Sequence, residues 1–318
     1  MGNERRPVDA RATACMVVMC AIWGTQQVII KLAASSMAPL LQVGVRSGVA
    51  AALVALVVLY RREHRALAGW TLRGGILAGV LFGAEFVLVG EGLRFTTASH
   101  IAIFLYTAPI FAAFGLGVSL PEERLAPLQW CGIGLAFAGV VATFAGRGAA
   151  PAGSMTWLGD LLGIAAGAAS GATTTVVRVS ALSRAPASVT LLYQLVGGFV
   201  LACGAAVALG EVRVTWTPVL TAGLLYQSVI VSFASYLAWF SLLRVYLASR
   251  LGVISFLAPV FGTVFGMTVL GEHLDIAFIC GAVMIMGGIV LVSADDLLRT
   301  GRRPAAMCDT CVPDTAAQ

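Results

Sequence analysis

The chain is poor in charge. Asp, Glu, Lys and Arg together account for 35 of 318 residues, or 11%, against about 25% in an average soluble domain. With 59% hydrophobic residues and a mean hydropathy of +0.93, this excludes a soluble globular protein. Also missing is any polar stretch of about 100 residues, the size an extramembrane domain needs, so a tethered soluble enzyme and a large ectodomain are excluded too. The chain has three histidines, His64, His100 and His273, and contains neither HExxH nor GxSxG; Ala168-Ala169-Ser170-Gly171 lacks the first glycine of a GxSG motif. A membrane-embedded hydrolase needs a nucleophile and base or a metal cluster and finds no support, so the protein is read as not an enzyme. No cofactor or metal is expected. The filter loop or ring of charge that a channel requires is likewise missing. The net charge of +5 comes from 20 basic residues scattered in ones and twos beside apolar runs, which is no footprint for nucleic acid. Of the seven cysteines, Cys15, Cys20, Cys131, Cys203 and Cys280 lie in apolar segments, where free cysteine behaves as a small hydrophobe. Cys308 and Cys311 form a lone CxxC with no further ligand nearby.

What the chain does have is apolar runs of helix length, at about 13–34, 38–60, 74–94, 98–119, 127–146, 157–178, 187–209, 218–242, 248–270 and 275–294. Each matches the roughly 20 residues a transmembrane helix takes, and each carries Gly or Ala for close helix packing. The expectation is an all-α polytopic membrane protein with ten transmembrane helices. The first run is too long for a signal peptide and carries Trp23, Gln26 and Gln27, so it reads as a retained helix. With a cytoplasmic N-terminus, 15 Lys and Arg residues fall on one side and four on the other, Arg46 remaining inside a span. The positive-inside rule then puts both termini in the cytoplasm. Residues 1–12 form a cytoplasmic segment, 147–156 an extracytoplasmic linker, and 295–318 a cytoplasmic tail expected to be disordered.

The chain repeats itself. Residues 93–111, LRFTTASHIAIFLYTAPIF, align without a gap on 243–261, LRVYLASRLGVISFLAPVF, with seven identities in 19. After a one-residue slip, Glu123 answers Glu272 and Cys131 answers Cys280, while residues 23–31 match 170–178 more weakly. The two halves, 13–146 and 157–294, each hold five predicted helices. An odd number sends the second half into the membrane from the opposite side, the inverted-repeat architecture of alternating-access carriers with a site near the midplane.

These features together resemble the drug/metabolite transporter superfamily, in its ten-helix EamA-type branch. The matching residues are Trp23-Gly24, Arg46, the LRFTTAS run into Pro109, the ERL turn at 123–125, Tyr193-Gln194, and the AS…AP and GEHL pattern over 248–274. The resemblance covers about residues 13–294. It implies a multi-pass carrier of the bacterial inner membrane, commonly an exporter or facilitator of amino acids, nucleotides or related metabolites, without naming the substrate. One departure is Ser170-Gly171, where many relatives carry an aromatic residue, followed by Thr173, Thr174 and Thr175.

Ionisable groups deep in a span are costly and usually functional. Arg46 and Glu85 qualify, lying about 12 Å and 13–14 Å below the extracytoplasmic face at 1.5 Å per residue. Trp23, Gln26 and Gln27 share a helical face near that level, as does Tyr106. Tyr193 and Gln194 take the place in the second half that Arg46 holds in the first. These eight residues are the expected walls of a substrate cavity drawn from spans 1–4 and 6–9, with spans 5 and 10 peripheral. The competing reading makes Arg46 and Glu85 a structural ion pair. Pro109 and Pro259 are expected to kink their helices, either as gating points or as static bends. Glu91 is read as solvated, His100 as an interfacial group able to titrate near neutral pH, and Tyr236 and Trp239 as partly interfacial. A nearby Arg46 is expected to keep Glu85 ionised, to attract the amine of an amino-acid-like or cationic substrate; the alternative is that Glu85 carries a proton. The expected function is therefore export or facilitation of zwitterionic or cationic metabolites by alternating access, the alternative being proton-coupled transport of drugs or nucleotide-type metabolites. The partners are a small molecule and the lipid bilayer, with no nucleic acid; the oligomeric state is left open.

Overall fold

The computed structural model describes residues 9–67, 69–120, 127–145, 155–246, 251 and 254–301. The ERL turn at 123–125, most of the 147–156 linker and the Cys308–Cys311 pair lie outside the described residues. The described chain is helical throughout, its one β-bridge joining Met37 and Val214. The helices are α1 (Ala10–Leu32), α2 (Pro39–Tyr60), α3 (Leu72–Phe95), α4 (Ala98–Leu105), α5 (Ala108–Ser119), α6 (Pro127–Ala145), α7 (Thr156–Val179), α8 (Ala187–Ala208) and α9 (Pro218–Leu225). A π-helical segment, Tyr226–Ser235, then runs without a break into α10 (Tyr236–Val245), followed by α11 (Leu257–Leu270) and α12 (Ile276–Gly301).

Helices form here because a lipid environment offers the backbone no other hydrogen-bond partner, and local signals set their ends. Asp9 caps α1 by accepting from the Ala12 N–H at 2.8 Å, Thr97 caps α4 and Thr217 caps α9, and Gly271, at φ 65°, closes α11 in the left-handed conformation. The apolar run 98–119 is broken at Tyr106 and Thr107. The Thr107 hydroxyl turns back to the Phe104 carbonyl at 2.6 Å, and Pro109 falls in the first turn of α5, where its missing N–H leaves no bond unmade. Pro259 sits in the first turn of α11 in the same way. Both prolines thus begin a helix and do not bend one. At the other end of the chain, α12 continues from Asp295 to Gly301, into the segment expected to be disordered. No Gly or Pro lies between Asp295 and Gly301, and extending an existing helix is easy.

Seven helical stretches are long and apolar enough to cross a membrane, and three shorter apolar helices accompany them among the described residues. Large apolar side chains such as Leu56, Phe137 and Val283 point outward, the arrangement lipid requires. The protein is a polytopic membrane protein. Inside, α2, α3 and α8 share a core that includes Val43, Phe82, Phe86 and Leu195. The α3–α8 approach is so close that a Cβ added at Gly197 would overlap the Gly79 carbonyl oxygen. Helices α6 and α12 pair through Gly139 and Gly281 in the same manner.

Candidate functional site

Midway along the helices lies a cavity of about 340 Å³. Helix α1 presents Trp23, Gln26 and Gln27, which its 3.6-residue period puts on one face, and α3 adds Glu85 and Phe86. The break between α4 and α5 supplies Leu105, Tyr106, Ala108 and Pro109. Across from these stand Ser170 and Thr174 of α7, Tyr236 and Trp239 of α10, and Ser255. Five of the eight expected site residues therefore meet here: Trp23, Gln26, Gln27, Glu85 and Tyr106, with Pro109 beside them. Helices α6 and α12 contribute no residue to this cavity.

Three expectations fail. Tyr193 and Gln194 do not line the cavity. The Tyr193 ring packs against Gly75 of α3, and its hydroxyl donates to the Leu67 carbonyl. Equivalence within the repeat set the depth of these residues but not the direction they face. Arg46, 2% exposed, stands behind the cavity wall, its guanidinium carbon 4.6 Å from the centroid of the Phe86 ring and its Nη1 donating to Gln227 Oε1 at 2.8 Å. The ion pairs among described residues join Arg94 to Glu91 and Glu211, and His100 to Asp160; none joins Arg46 to Glu85. Pro259, expected as a gating point or a static bend, is buried in the first turn of α11 and is not among the residues lining the cavity.

Other residues were misplaced or missed by sequence reasoning. Tyr236 and Trp239, assigned in part to the membrane interface, instead complete an aromatic wall: the Trp23 ring lies 6.3 Å from Tyr236 and 5.7 Å, edge-on, from Trp239. The Trp23 indole N–H donates to Ser235 Oγ at 2.8 Å, which fixes the ring. Glu91 is not free in solvent but 2.9 Å from Arg94. His100 is not merely interfacial: its Nδ1 lies 3.0 Å from the fully buried Asp160, and its ring stacks on Phe278 at 4.0 Å. Asp160, a carboxylate four positions into α7, was overlooked in favour of charges nearer mid-span. Gln227 carried no signal beyond being polar within an apolar run.

Chemically, the cavity is an aromatic enclosure with one carboxylate and no cationic side chain on its wall. Glu85 is 6% exposed and interacts with the Ser170 hydroxyl. Gln26 and Gln27, 6% and 4% exposed, make no hydrogen bond to any described residue. Buried amides normally find partners, so these two are set toward whatever fills the cavity. No group of three or more His, Cys, Asp or Glu residues among the described residues is placed to hold a metal ion.

An all-helical membrane protein enclosing a mid-membrane polar cavity is the class to which many solute carriers belong. Comparison with known proteins makes it specific: the chain belongs to the EamA-like transporter family, whose sequence model matches it twice, over residues 11–145 and 157–294. It is a membrane transporter. A probable amino-acid metabolite efflux pump of Salmonella typhimurium (strain LT2) is 27% identical over 293 residues, covering 87% of this chain and 92% of the relative. A protein of the same description from Escherichia coli (strain K12) is 26% identical over 293 residues, with the same coverage. A transporter of Archaeoglobus fulgidus described as uncharacterized is 25% identical, covering 90% and 99% of the two chains. A solved protein structure superposes with a TM-score of 0.61 over 93% of this chain and 100% of its own, at 20% identity, a likeness of fold.

Proposed function

We propose that this transporter exports compounds bearing an ammonium group, either amino-acid-like zwitterions or organic cations with an apolar body. The observation that carries the reading is Glu85, a buried carboxylate on the cavity wall with no cationic side chain in ion-pair contact. A carboxylate removed from water and left without a counter-charge is expensive, and a substrate ammonium offsets that cost. Around it the indole faces of Trp23 and Trp239 suit a cation, and the free amides of Gln26 and Gln27 can receive a zwitterion's carboxylate. The relatives named as amino-acid metabolite efflux pumps fit this chemistry.

Transport proceeds by alternating access of two five-helix halves in inverted orientation, with both termini cytoplasmic. The repeat of 93–111 in 243–261, the double family match and the 15-to-4 basic asymmetry support this reading. The breaks at Pro109 and Pro259 are the flexing points. Flux into reconstituted liposomes, measured with a panel of amino acids, amines and nucleosides, tests it. Glu85→Gln is expected to weaken uptake of amines about tenfold or more at every pH, as the loss of a charged hydrogen bond implies. Unchanged affinity with lost pH-gradient coupling would make Glu85 a proton carrier instead, and unchanged transport in both assays would leave it structural.

A further inference from the structure

The reading of Glu85 as an amine site raises a physical problem. A guanidinium lies one helix away and would neutralise the carboxylate if it reached it. Arg46 and Glu85 influence each other electrostatically, yet Arg46 donates its hydrogen bond elsewhere, to Gln227 Oε1 at 2.8 Å. Gln227 is completely buried and belongs to the π-helical segment Tyr226–Ser235. Such widened turns are uncommon and are frequent at functional sites. The contact is poor as a structural lock, because Arg46 Nε and Gln227 Nε2 are both buried without a partner. Phe86, whose ring faces the guanidinium at 4.6 Å, also lines the cavity and stands between the cation and the space a substrate would fill.

We infer that Gln227 is a positioning residue: it draws the Arg46 guanidinium behind Phe86 and so leaves the Glu85 carboxylate to the substrate's ammonium group. A neutral amide suits this role, since it turns the guanidinium aside without adding a second carboxylate to compete for the substrate. The inference rests on the amine reading of the cavity and predicts specificity as well as affinity. With Gln227 removed, Arg46 swings to Glu85, and the site loses its preference for cations while keeping its shape.

The test uses the full-length protein in lipid nanodiscs, with phenethylamine as the charged probe and 2-phenylethanol as its uncharged analogue. Gln227→Leu should weaken phenethylamine about tenfold or more and leave 2-phenylethanol unchanged, with Gln227→Met as the second variant should the branched side chain impair folding. Gln227→Glu, which still holds Arg46 and whose added charge is neutralised by that pairing, should keep the affinity for the amine. Adding Arg46→Gln to Gln227→Leu should restore it to within about threefold of the original. Equal loss for amine and alcohol, or no restoration in the double variant, overturns the inference. A second measurement does not depend on any ligand. Melting-temperature effects of Arg46→Gln and Glu85→Gln should add when Gln227 is present and fail to add when it is Leu; additivity in both backgrounds refutes the Gln227 role. If Glu85→Gln leaves phenethylamine binding unaltered, the amine reading fails, and the melting-temperature cycle alone decides what Gln227 does.

Discussion

The two ends of α4 hold polar groups in opposite ways. At its start, apart from the Thr97 hydroxyl that caps α4 itself, the polar groups are tied to another helix. The Lys31 ammonium of α1 donates to the Thr96 carbonyl, the Thr96 hydroxyl donates to Asp160 at 2.6 Å, and His100 meets the same carboxylate. Glu272, just past α11, accepts from the backbone N–H groups of Ala98 at 2.7 Å and Ser99 at 3.0 Å and from the Ser99 hydroxyl at 2.6 Å. This carboxylate satisfies helix-terminal donors that α4 cannot satisfy itself. At the far end, beside Tyr106, the polar groups of α1 turn into the cavity unbonded. Burial and polarity are the same in both places; what differs is whether the protein completes the hydrogen bonds. Where it does, the residues hold helices together, and where it does not, the partner we propose is the substrate.

Changes at each end should therefore affect different measurements. The largest loss of stability is expected from Asp160→Ala, which strips a buried carboxylate from Thr96 and His100. Breaking such a buried pair costs about 3–5 kcal/mol, visible as a sharp drop in the melting temperature of the solubilised protein. A melting temperature within a degree of the original would show that this end is not a structural tie. Glu272→Gln retains the shape but loses charge-assisted bonds to α4, at about 1–2 kcal/mol, with Ser99→Ala giving a smaller shift in the same direction. Gln26→Leu should lie within about 0.5 kcal/mol of neutral, because its amide bonds nothing in the protein, while substrate flux falls. A clear destabilisation there would abolish the distinction drawn between the two ends.

The smallest effect is local and depends on pH. Asp9 precedes the apolar run 13–34, and hydrogen bonds from the Ala12 N–H and the Tyr246 hydroxyl favour its ionised form, lowering its pKa below the ordinary carboxylate value. A depressed carboxylate stabilises the fold at pH values above its unfolded value and loses that contribution as pH falls through the folded one. The first turn of α1 should stay protected at neutral pH and loosen below about pH 3.9. Hydrogen exchange at the Ala12 amide reads this directly. The pH dependence should disappear in Asp9→Asn.

Much of this molecule was legible before its fold. Helix positions follow from apolar runs, and the meeting of Trp23, Gln26, Gln27, Glu85 and Tyr106 at one level follows from counting residues along a helix of known rise. The same counting put Tyr193 and Gln194 at a plausible depth, yet Tyr193 faces Leu67 and α3 and Gln194 is not among the residues lining the cavity. It also set Arg46 level with Glu85 while saying nothing of Gln227, 181 residues further along the chain, to which its guanidinium donates. In soluble proteins an apolar stripe reports which face of a helix is buried. Here lipid and core are both apolar, so that signal is faint.

Membrane class, number of apolar runs and internal duplication were determined by the sequence alone, because each depends on composition and spacing along one chain, and the bilayer permits little backbone structure besides helices. The rotation of each helix about its axis and the choice of neighbour were decided by tertiary structure. Those two variables separate Tyr236 in the cavity from Tyr193 outside it. They are set by contacts such as Gly79 against Gly197 and Trp23 against Ser235, between residues more than a hundred positions apart that meet only when the helices pack.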